Sequence, residues 1–202
     1  MVPMGGRING GERFAIDWSR FDVTAKPLVD LQAGTQATFK GDPTKNESYL
    51  SFGQPILSVA EGTVVQVVSD MPDEPPHVIA PGLKPEQLGG NHVVVDIGNG
   101  VYAFYAHLMQ GSPTVKVGDK VTRGQVFAKL GNSGNTTEAH LHFQLIRGVA
   151  PLASDNVPFV IDAFTYEGAA DLDGVVTTNT GPRTNQLPLI ESVTGYPAVP
   201  GS

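Results

Sequence analysis

Two histidines separated by a single residue, His140 and His142, are the side chains in this sequence best placed to do chemistry together. In an extended strand, side chains two positions apart leave the same face. Both imidazoles therefore point one way, while Leu141 between them points into a core. Two imidazoles on one face are poor core filling, so the pair predicts a metal or catalytic site. A purely structural role for two satisfied polar residues is the alternative.

Two other residues, which occur earlier in the chain, suit the same chemistry. Asp17 lies in an alternating apolar and polar run at 13–18, and His107 ends the second arm of a hairpin whose turn is Gly-Asn-Gly at 98–100. Carboxylate and imidazole groups favour a divalent transition metal, zinc above all. A hydrolytic zinc site needs three protein ligands, an open position for water, and nearby groups that move protons.

The elements that must position these residues are strands. With 24 glycines and 16 prolines in 202 residues, turns are frequent, and no long helical periodicity is present. The sequence therefore predicts an all-β protein, built mainly of antiparallel sheet with few or no helices. Strands are expected at 13–18, 55–60, 63–68, 91–97, 101–108, 115–121, 124–130 and about 140–146.

Composition also predicts how the chain is organised. Residues 1–12 form an amino-terminal segment, and residues 13–148 form one β domain with polar insertions at 19–52 and 69–90. Residues 149–202 hold one further strand, at 158–166, followed by a polar tail that is expected to be loosely packed.

Charge and residue usage exclude several classes of function. A net charge of −7 and the lack of any lysine or arginine cluster argue against a nucleic-acid partner or an anionic lipid surface. The chain has no cysteine, which excludes disulfides, thiolate zinc sites and thiol catalysis. No apolar run reaches the roughly 18 residues of a membrane helix. The first residues lack the pattern of a signal peptide, so any export would depend on a leader outside this sequence.

Several stretches, taken in chain order, resemble the LytM/lysostaphin-type zinc metallopeptidases, which cleave peptide cross-links in bacterial cell walls. These stretches are FAID at 14–17, GQPILSVAEGTV at 53–64, GNHVVVD at 90–96, YAHL at 105–108, VGDKVTRGQ at 117–125 and HLHF at 140–143. The resemblance implies the duplicated-hybrid-motif fold of that family, an antiparallel sheet with an open groove across it.

The same resemblance implies a role for each candidate residue. Asp17 and His142 correspond to two zinc ligands, and His107 and His140 correspond to the pair that flanks the metal-activated water. The substrate implied is a peptidoglycan peptide or another glycine-rich peptide. Family members work outside the membrane, so an extracytoplasmic or wall-associated location is expected.

One position departs from the family pattern. The family has a histidine ligand four residues before the aspartate, and this chain has Arg13 there, which has no lone pair to offer. The third ligand then comes from upstream of this sequence, or from an acidic residue such as Glu12 or Glu138. Glu12 is the weaker of these, since it faces away from Asp17 in a regular strand. Otherwise the site is degenerate, and the domain binds cell wall or a partner protein without cutting it.

Other residues carry weaker signals. Asn132 and Asn135 near the histidine pair either bind the substrate backbone or hold a turn. Tyr105 is expected to share the face of His107, where it lines the groove or packs in the core. His92 is expected to be structural. The run at 117–130 also resembles biotinyl/lipoyl carrier domains, but those do not account for the histidines.

Overall fold

The computed structural model describes residues 2–4, 7–9, 12–24, 36–151, 153–170, 174–189 and 191–196. In these residues strands dominate, and the helical elements are three 3-10 turns of three residues each, Gln36–Thr38, Asn46–Ser48 and Pro85–Gln87. The predicted all-β class with antiparallel sheets is confirmed. Within the same residues, no helix has the length and apolar character needed to cross a membrane.

Fifteen strands are present in this part of the chain. They are β1 (Val2–Met4), β2 (Arg7–Asn9), β3 (Ile16–Trp18), β4 (Pro55–Leu57), β5 (Gly62–Val68), β6 (Asn91–Asp96), β7 (Tyr102–Leu108), β8 (Lys120–Val121), β9 (Val126–Lys129), β10 (Leu141–Arg147), β11 (Asp155–Val157), β12 (Ile161–Ala170), β13 (Val175–Val176), β14 (Gly181–Gln186) and β15 (Ser192–Gly195).

The chain divides into two compact units. The first contains residues 1–20 and 42–158, and the second contains residues 21–41 and 159–202. Every candidate site residue belongs to the first unit. Its main sheet has the strand order β11-β10-β7-β6-β5-β8, and β3 pairs with β10. All of these pairs are antiparallel.

The register of the central strands gives the main sheet two different faces. On one face, Tyr105 of β7 pairs with Phe143 of β10 and packs against Phe127 of β9, with ring centroids 5.2 and 5.0 Å apart. This face is therefore apolar core, covered by the small β4–β9 sheet. On the other face, Phe104 pairs with Gln144, and Ala106 pairs with His142. The candidate site lies on this second face.

The second unit is a four-stranded antiparallel sheet in which β12 pairs with β13, β14 and β15. Among the residues described, Phe164 and Val193 are the buried apolar side chains of this sheet, with 6% and 5% of their surface exposed. The sequence predicted one strand and a loosely packed tail here, and the structure has four strands instead. Strands such as β14, Gly181–Gln186, carry few apolar residues. These strands pair through their backbones, and their side chains do not show the alternating hydrophobic pattern by which strands are recognised in a sequence.

Candidate active site

The register of β3 and β10 brings the first two candidate residues together. Asp17 lies directly opposite His142, and directly paired residues of antiparallel strands project to the same face. The His142 Nδ1 and Asp17 Oδ1 atoms are 2.9 Å apart. The two predicted metal ligands, 125 residues apart in the sequence, therefore converge on one point at the surface of the sheet.

Gln144 determines which way the His142 ring faces. This glutamine is fully buried two residues further along β10, and its Nε2 donates a hydrogen bond of 3.0 Å to Pro151 O. Its Oε1 is thereby turned toward His142 Nε2, 3.1 Å away. Because an amide oxygen can only accept, His142 Nε2 carries a proton and donates it. The ring is held with Nδ1 directed at Asp17.

His140 joins the same cluster from just before β10. Its Nδ1 lies 3.0 Å from the backbone oxygen of Glu138, which can only accept, so Nδ1 is the protonated nitrogen. Its Nε2 is left as the acceptor and lies 3.6 Å from Asp17 Oδ1. His140 and His142 thus approach the same carboxylate, as their spacing predicted.

His107 reaches the site through an unusual backbone conformation. Its φ is +57°, in the left-handed region that a non-glycine residue seldom adopts. The ring lies against those of His140 and His142, with centroids 4.7 and 6.0 Å apart. Its Nδ1 donates to Ser133 O over 2.8 Å, which leaves Nε2 as the acceptor. His107 and His140 therefore have the same tautomer, each with Nδ1 held by a backbone carbonyl.

Two glycines bring the Ser133 carbonyl within reach of His107. Gly90 and Gly134 have φ values of +59° and +85°, and the two loops touch backbone to backbone. A Cβ on Gly90 would collide with Ser133, and a Cβ on Gly134 would collide with Gly90. Only residues without a side chain permit this approach. The loop is further tied down by the Ser133 hydroxyl, which donates to Leu108 O over 2.8 Å.

Burial and charge set the protonation of the site. Burial, together with the neighbouring His140, lowers the pKa of His107 to about 3, so its ring is neutral at physiological pH. Burial acts to lower the pKa of His142 as well, but the hydrogen bond and charge of Asp17 outweigh it, and that pKa is raised. Burial acts to raise the pKa of Asp17, but the His142 hydrogen bond and the three imidazole charges prevail and lower it.

A neutral, buried His107 predicts that acid destabilises the fold. Between its ordinary value of 6.5 and its folded pKa of about 3, the unfolded chain binds a proton that the folded chain does not. The free energy of unfolding should therefore fall as pH falls through this window, by up to about 1.4 kcal/mol per pH unit from this one group. Urea unfolding of metal-free protein at pH 7 and pH 5, compared with the His107→Asn variant, measures it. Equal losses in the two proteins would contradict the prediction.

Two side chains of the site have the donor atoms that zinc prefers. Because His142 Nε2 donates to Gln144, Nδ1 can be in one of two states beside the Asp17 carboxylate. In an imidazolium it donates a proton to the carboxylate. In a neutral ring its lone pair faces a lone pair of the carboxylate oxygen. A cation between these two atoms satisfies both lone pairs, and carboxylate and imidazole are zinc ligands. Asp17 and His142 would hold the metal. Among the described residues, however, no three His, Cys, Asp or Glu side chains are grouped to hold a metal ion.

The segment around Glu12 and Arg13, where the family has its third ligand, does not have the strand conformation that the sequence predicted. The expected strand at 13–18 begins only at Ile16, and Glu12 lies in a turn in which the Ala15 N–H donates to Glu12 O over 3.2 Å. The strand alternation that turned Glu12 away from Asp17 therefore does not apply, and the charge of Glu12 helps to raise the pKa of His142. Arg13 holds its guanidinium 5.3 Å from the ring of Phe14.

Tyr105 does not share the face of His107, so this prediction is corrected. Its ring is 1% exposed and packs against Phe127 and Phe143 on the core face. Its hydroxyl accepts a hydrogen bond of 2.9 Å from the backbone of Val59. The left-handed conformation of His107 breaks the strand alternation on which the prediction relied.

The two asparagines differ in their availability. Asn132 is fully buried, and its Nδ2 donates to Glu74 O and Asn46 Oδ1 over 2.9 and 3.1 Å, while its Oδ1 accepts from Thr136. Of the two roles considered for it, holding the loop is the one these bonds support. Asn135 is exposed, and its backbone N–H donates to Leu88 O over 2.9 Å. A substrate contact by the Asn135 side chain stays a prediction.

Gln144 was not among the residues predicted for the site, although the sequence carries a signal for it. Gln144 follows His142 by two positions, so a strand places both on one face. A buried amide beside an imidazole is a recognisable partner, because ligand histidines usually have a second hydrogen bond on the ring nitrogen that does not bind metal.

Comparison with known proteins identifies the family. The model of peptidase family M23 matches residues 48–154, just over half of the 202-residue chain. The chain belongs to peptidase family M23. The predicted resemblance to LytM/lysostaphin-type peptidases is thereby confirmed. The matched M23 span includes His107, His140, His142 and Gln144, and Asp17 precedes it.

Individual relatives in the M23 family match over shorter stretches. The peptidoglycan DD-endopeptidase ShyA of Vibrio cholerae is 34% identical over 97 residues, 48% of this chain and 18% of that protein. Lysostaphin of Staphylococcus simulans is 29% identical over 143 residues, 68% of this chain and 25% of its own length. The chain thus spans a quarter or less of these two relatives. The lysostaphin catalytic domain of S. simulans superimposes with a TM-score of 0.39 at 21% identity, covering 59% of this chain and 84% of that one.

Proposed function

We propose that the protein is a zinc-dependent endopeptidase that hydrolyses peptide cross-links of bacterial peptidoglycan. The observation that carries the proposal is the convergence of Asp17, His107, His140 and His142 on one side of the sheet, with each imidazole nitrogen assigned by its partner. Membership of the M23 family supports the reaction class. The name of one relative, the peptidoglycan DD-endopeptidase ShyA, supports the substrate class and a site of action in the cell wall.

Asp17 and His142 would hold the zinc, which when bound would supply Lewis-acid chemistry that activates water near neutral pH. The side chains of the protein carry out the proton transfers. Hydrolysis removes a proton from water and delivers one to the departing amine. A neutral imidazole whose Nε2 lone pair has no donor can act as a base and take the proton from water. The protonated ring can then act as an acid and give the proton to the amine.

His107 is assigned as this base on its geometry. The Ser133 carbonyl holds its Nδ1–H and leaves Nε2 as the acceptor, and the neutral ring keeps that lone pair available. His140, with its ring 4.7 Å from that of His107, stands beside it. Once protonated, either ring can donate a hydrogen bond to the oxygen of the attacked carbonyl, which gains negative charge.

The alternative function is a catalytically degenerate domain that binds cell wall or a partner protein. Arg13 at the usual ligand position favours it, as does the lack of a three-residue metal group among the residues described. The two functions differ in metal content. The endopeptidase requires a third ligand from Glu12, Glu138 or a segment outside this sequence, and the degenerate domain requires none.

Zinc content and peptidoglycan digestion, measured on the same preparation, test the proposal. We expect close to one zinc per chain by elemental analysis and release of new amino groups from purified peptidoglycan. A chelator should stop the release, and added zinc should restore it. Protein that stays metal-free in excess zinc and sediments with peptidoglycan without cutting it would refute the endopeptidase and support the binding domain.

The role of Gln144 yields a separate prediction. Replacing it by leucine removes the acceptor for His142 Nε2, so the ring is no longer held in its tautomer and orientation. We expect zinc affinity to fall about 10- to 100-fold, measured by competition with a chromogenic chelator. Gln125→Leu serves as the control, since Gln125 is half-buried and its Oε1 accepts from Thr122 N in its own turn. Unchanged zinc affinity in a folded Gln144→Leu protein would show that the His142 ring needs no such support.

A further inference from the structure

An acidic residue outside the proposed zinc site, Asp73, binds the backbone on both sides of the hydrogen bond between His107 and Ser133. Its Oδ1 accepts from the Asn132 N–H over 2.6 Å, and its Oδ2 accepts from the Gln110 N–H over 3.0 Å. Asn132 directly precedes Ser133, whose carbonyl holds the His107 ring. Gln110 follows His107 by three positions. One half-buried carboxylate therefore joins the two segments that this hydrogen bond connects.

The chemistry of a carboxylate suits Asp73 to this double contact. An ionised carboxylate has lone pairs on both oxygens and no proton to donate, so it can accept from two N–H groups at once. Hydrogen bonds to a charged acceptor are also shorter and stronger than those between neutral groups. An asparagine at this position would offer one oxygen, and its NH₂ group would face the other N–H. The residue type is therefore as important as the size of the side chain.

The backbone around Asp73 is itself held in place, although the sequence predicted a polar insertion here. The Glu74 N–H donates to Asn132 O over 2.9 Å, and Asn132 Nδ2 donates to Glu74 O over 2.9 Å. The Met71 N–H donates to Asn91 Oδ1 over 2.9 Å, and Asn91 Nδ2 donates to Met71 O over 2.8 Å. Asn91 is fully buried. Asp73 is thus presented to the neighbouring loop by a stretch of chain with bonds on both sides of it.

The conformation of His107 requires support of this kind. A left-handed backbone at a residue other than glycine persists only where the surrounding structure imposes it, and the φ of His107 is +57°. Its N–H donates to Gly89 O over 2.9 Å, and its carbonyl accepts from the Gly131 N–H over 2.9 Å. Its Nδ1 donates to Ser133 O. The direction of its Nε2 lone pair therefore depends on where the loop at 131–133 lies.

We infer that Asp73 is a positioning residue for His107, which directs the Nε2 lone pair by holding the Ser133 carbonyl in place. The inference rests on the proposed function, since it takes His107 to be the general base. Asp73 acts through the loop and is assigned no proton transfer of its own. A displacement of about 1 Å in a reacting group can cost about 10²-fold in rate. The effect of Asp73 should therefore appear in the rate of the chemical step and not in substrate binding.

The kinetics of Asp73→Asn test the inference, because this variant keeps the size of the side chain and leaves one of the two N–H groups without its acceptor. We expect the rate of amine release at saturating peptidoglycan to fall about 10- to 100-fold. The peptidoglycan concentration that gives half the maximal rate, and the zinc content, should stay at the parent values. Asp73→Ala loses both acceptors and should lose more activity, provided that thermal unfolding shows that it folds.

Asp119→Asn is the matched control for a merely structural effect. Asp119 also accepts a hydrogen bond from a backbone N–H, that of Lys116 over 2.9 Å, and it belongs to the same compact unit. Its replacement should lower the melting temperature and leave the saturating rate unchanged, when both variants are assayed at a temperature at which they are folded. An equal fall in rate in Asp119→Asn would reduce the effect of Asp73 to stability and overturn the inference.

The imidazole nitrogens of His107 give a readout that does not require hydrolysis. Long-range ¹H–¹⁵N spectra of the full chain distinguish protonated from bare ring nitrogens, and the signals that disappear in His107→Asn identify this ring. The parent should show a protonated Nδ1 and a bare Nε2. In Asp73→Asn we expect the two ¹⁵N shifts to approach each other, because the acceptor for Nδ1–H is no longer fixed. An unchanged pair of shifts would overturn the inference.

The two measurements together separate this inference from the proposed function. Altered His107 shifts in Asp73→Asn, in a protein whose parent hydrolyses nothing, would show that Asp73 holds the ring and would refute the endopeptidase. Hydrolysis at the parent rate by Asp73→Asn would leave the endopeptidase standing and overturn Asp73 as a positioning residue.

Discussion

Replacement of His107 by asparagine is expected to lower the rate of peptidoglycan hydrolysis by about 10²- to 10⁴-fold, the range for loss of a general base. Asparagine suits this test because it tolerates a left-handed backbone, and its amide can replace the ring Nδ1–H as donor to Ser133 O. The fold should therefore persist while the acceptor Nε2 disappears. Amine release from peptidoglycan measures the rate, and zinc content should stay at the parent value.

His77→Asn is the matched control for this variant. His77 also has a positive φ, of +64°, and its ring is hydrogen-bonded to the Tyr49 hydroxyl over 3.0 Å. The control should keep its activity. A His107→Asn protein that hydrolyses peptidoglycan at the parent rate would show that the base is another group, and His140 would be the next candidate.

Asp17→Ala is expected to have the second large effect, on metal content first and on activity as a result. It removes the only carboxylate that contacts His142 Nδ1 among the described residues, so one of the two assigned ligands is lost. Zinc per chain should fall from near one to near zero, and hydrolysis should be lost with it. Elemental analysis after gel filtration measures this loss.

Asp70→Ala, which changes another exposed carboxylate of the same unit, should leave both quantities unchanged. Retention of zinc by Asp17→Ala would mean that the metal is bound elsewhere, and the ligand assignment would be wrong. Retention of zinc with loss of hydrolysis would assign Asp17 to the reaction and not to metal binding.

The parts of the fold that could be predicted from sequence are those governed by local pattern. The Gly-Asn-Gly turn at 98–100 predicts the hairpin, and β6 and β7 form it at 91–96 and 102–108. The i, i+2 spacing predicts that His140 and His142 point together, and both approach Asp17. Each inference needs only the twofold period of an extended chain.

The sequence predictions fail where the backbone departs from the twofold period, or where tertiary packing determines the contacts of a side chain. Alternation predicts that Tyr105 and His107 share a face, but the positive φ at His107 separates them. For Asn132 the sequence left substrate binding and a role in the turn both open, and its contacts with residues 46 and 74, far away in sequence, support the second. Such contacts depend on how distant loops meet, which no short pattern encodes.

The hydrogen bond between Gln144 and Pro151 has a consequence for how binding events communicate. The Gln144 amide donates to the Pro151 carbonyl through its nitrogen and accepts from the imidazole of His142 through its oxygen. It cannot rotate for one neighbour without disturbing the other. Thermodynamic linkage makes any such coupling reciprocal. A peptide that shifts Pro151 and thereby changes metal affinity by some factor must itself be bound more or less tightly, by the same factor, when the metal is present.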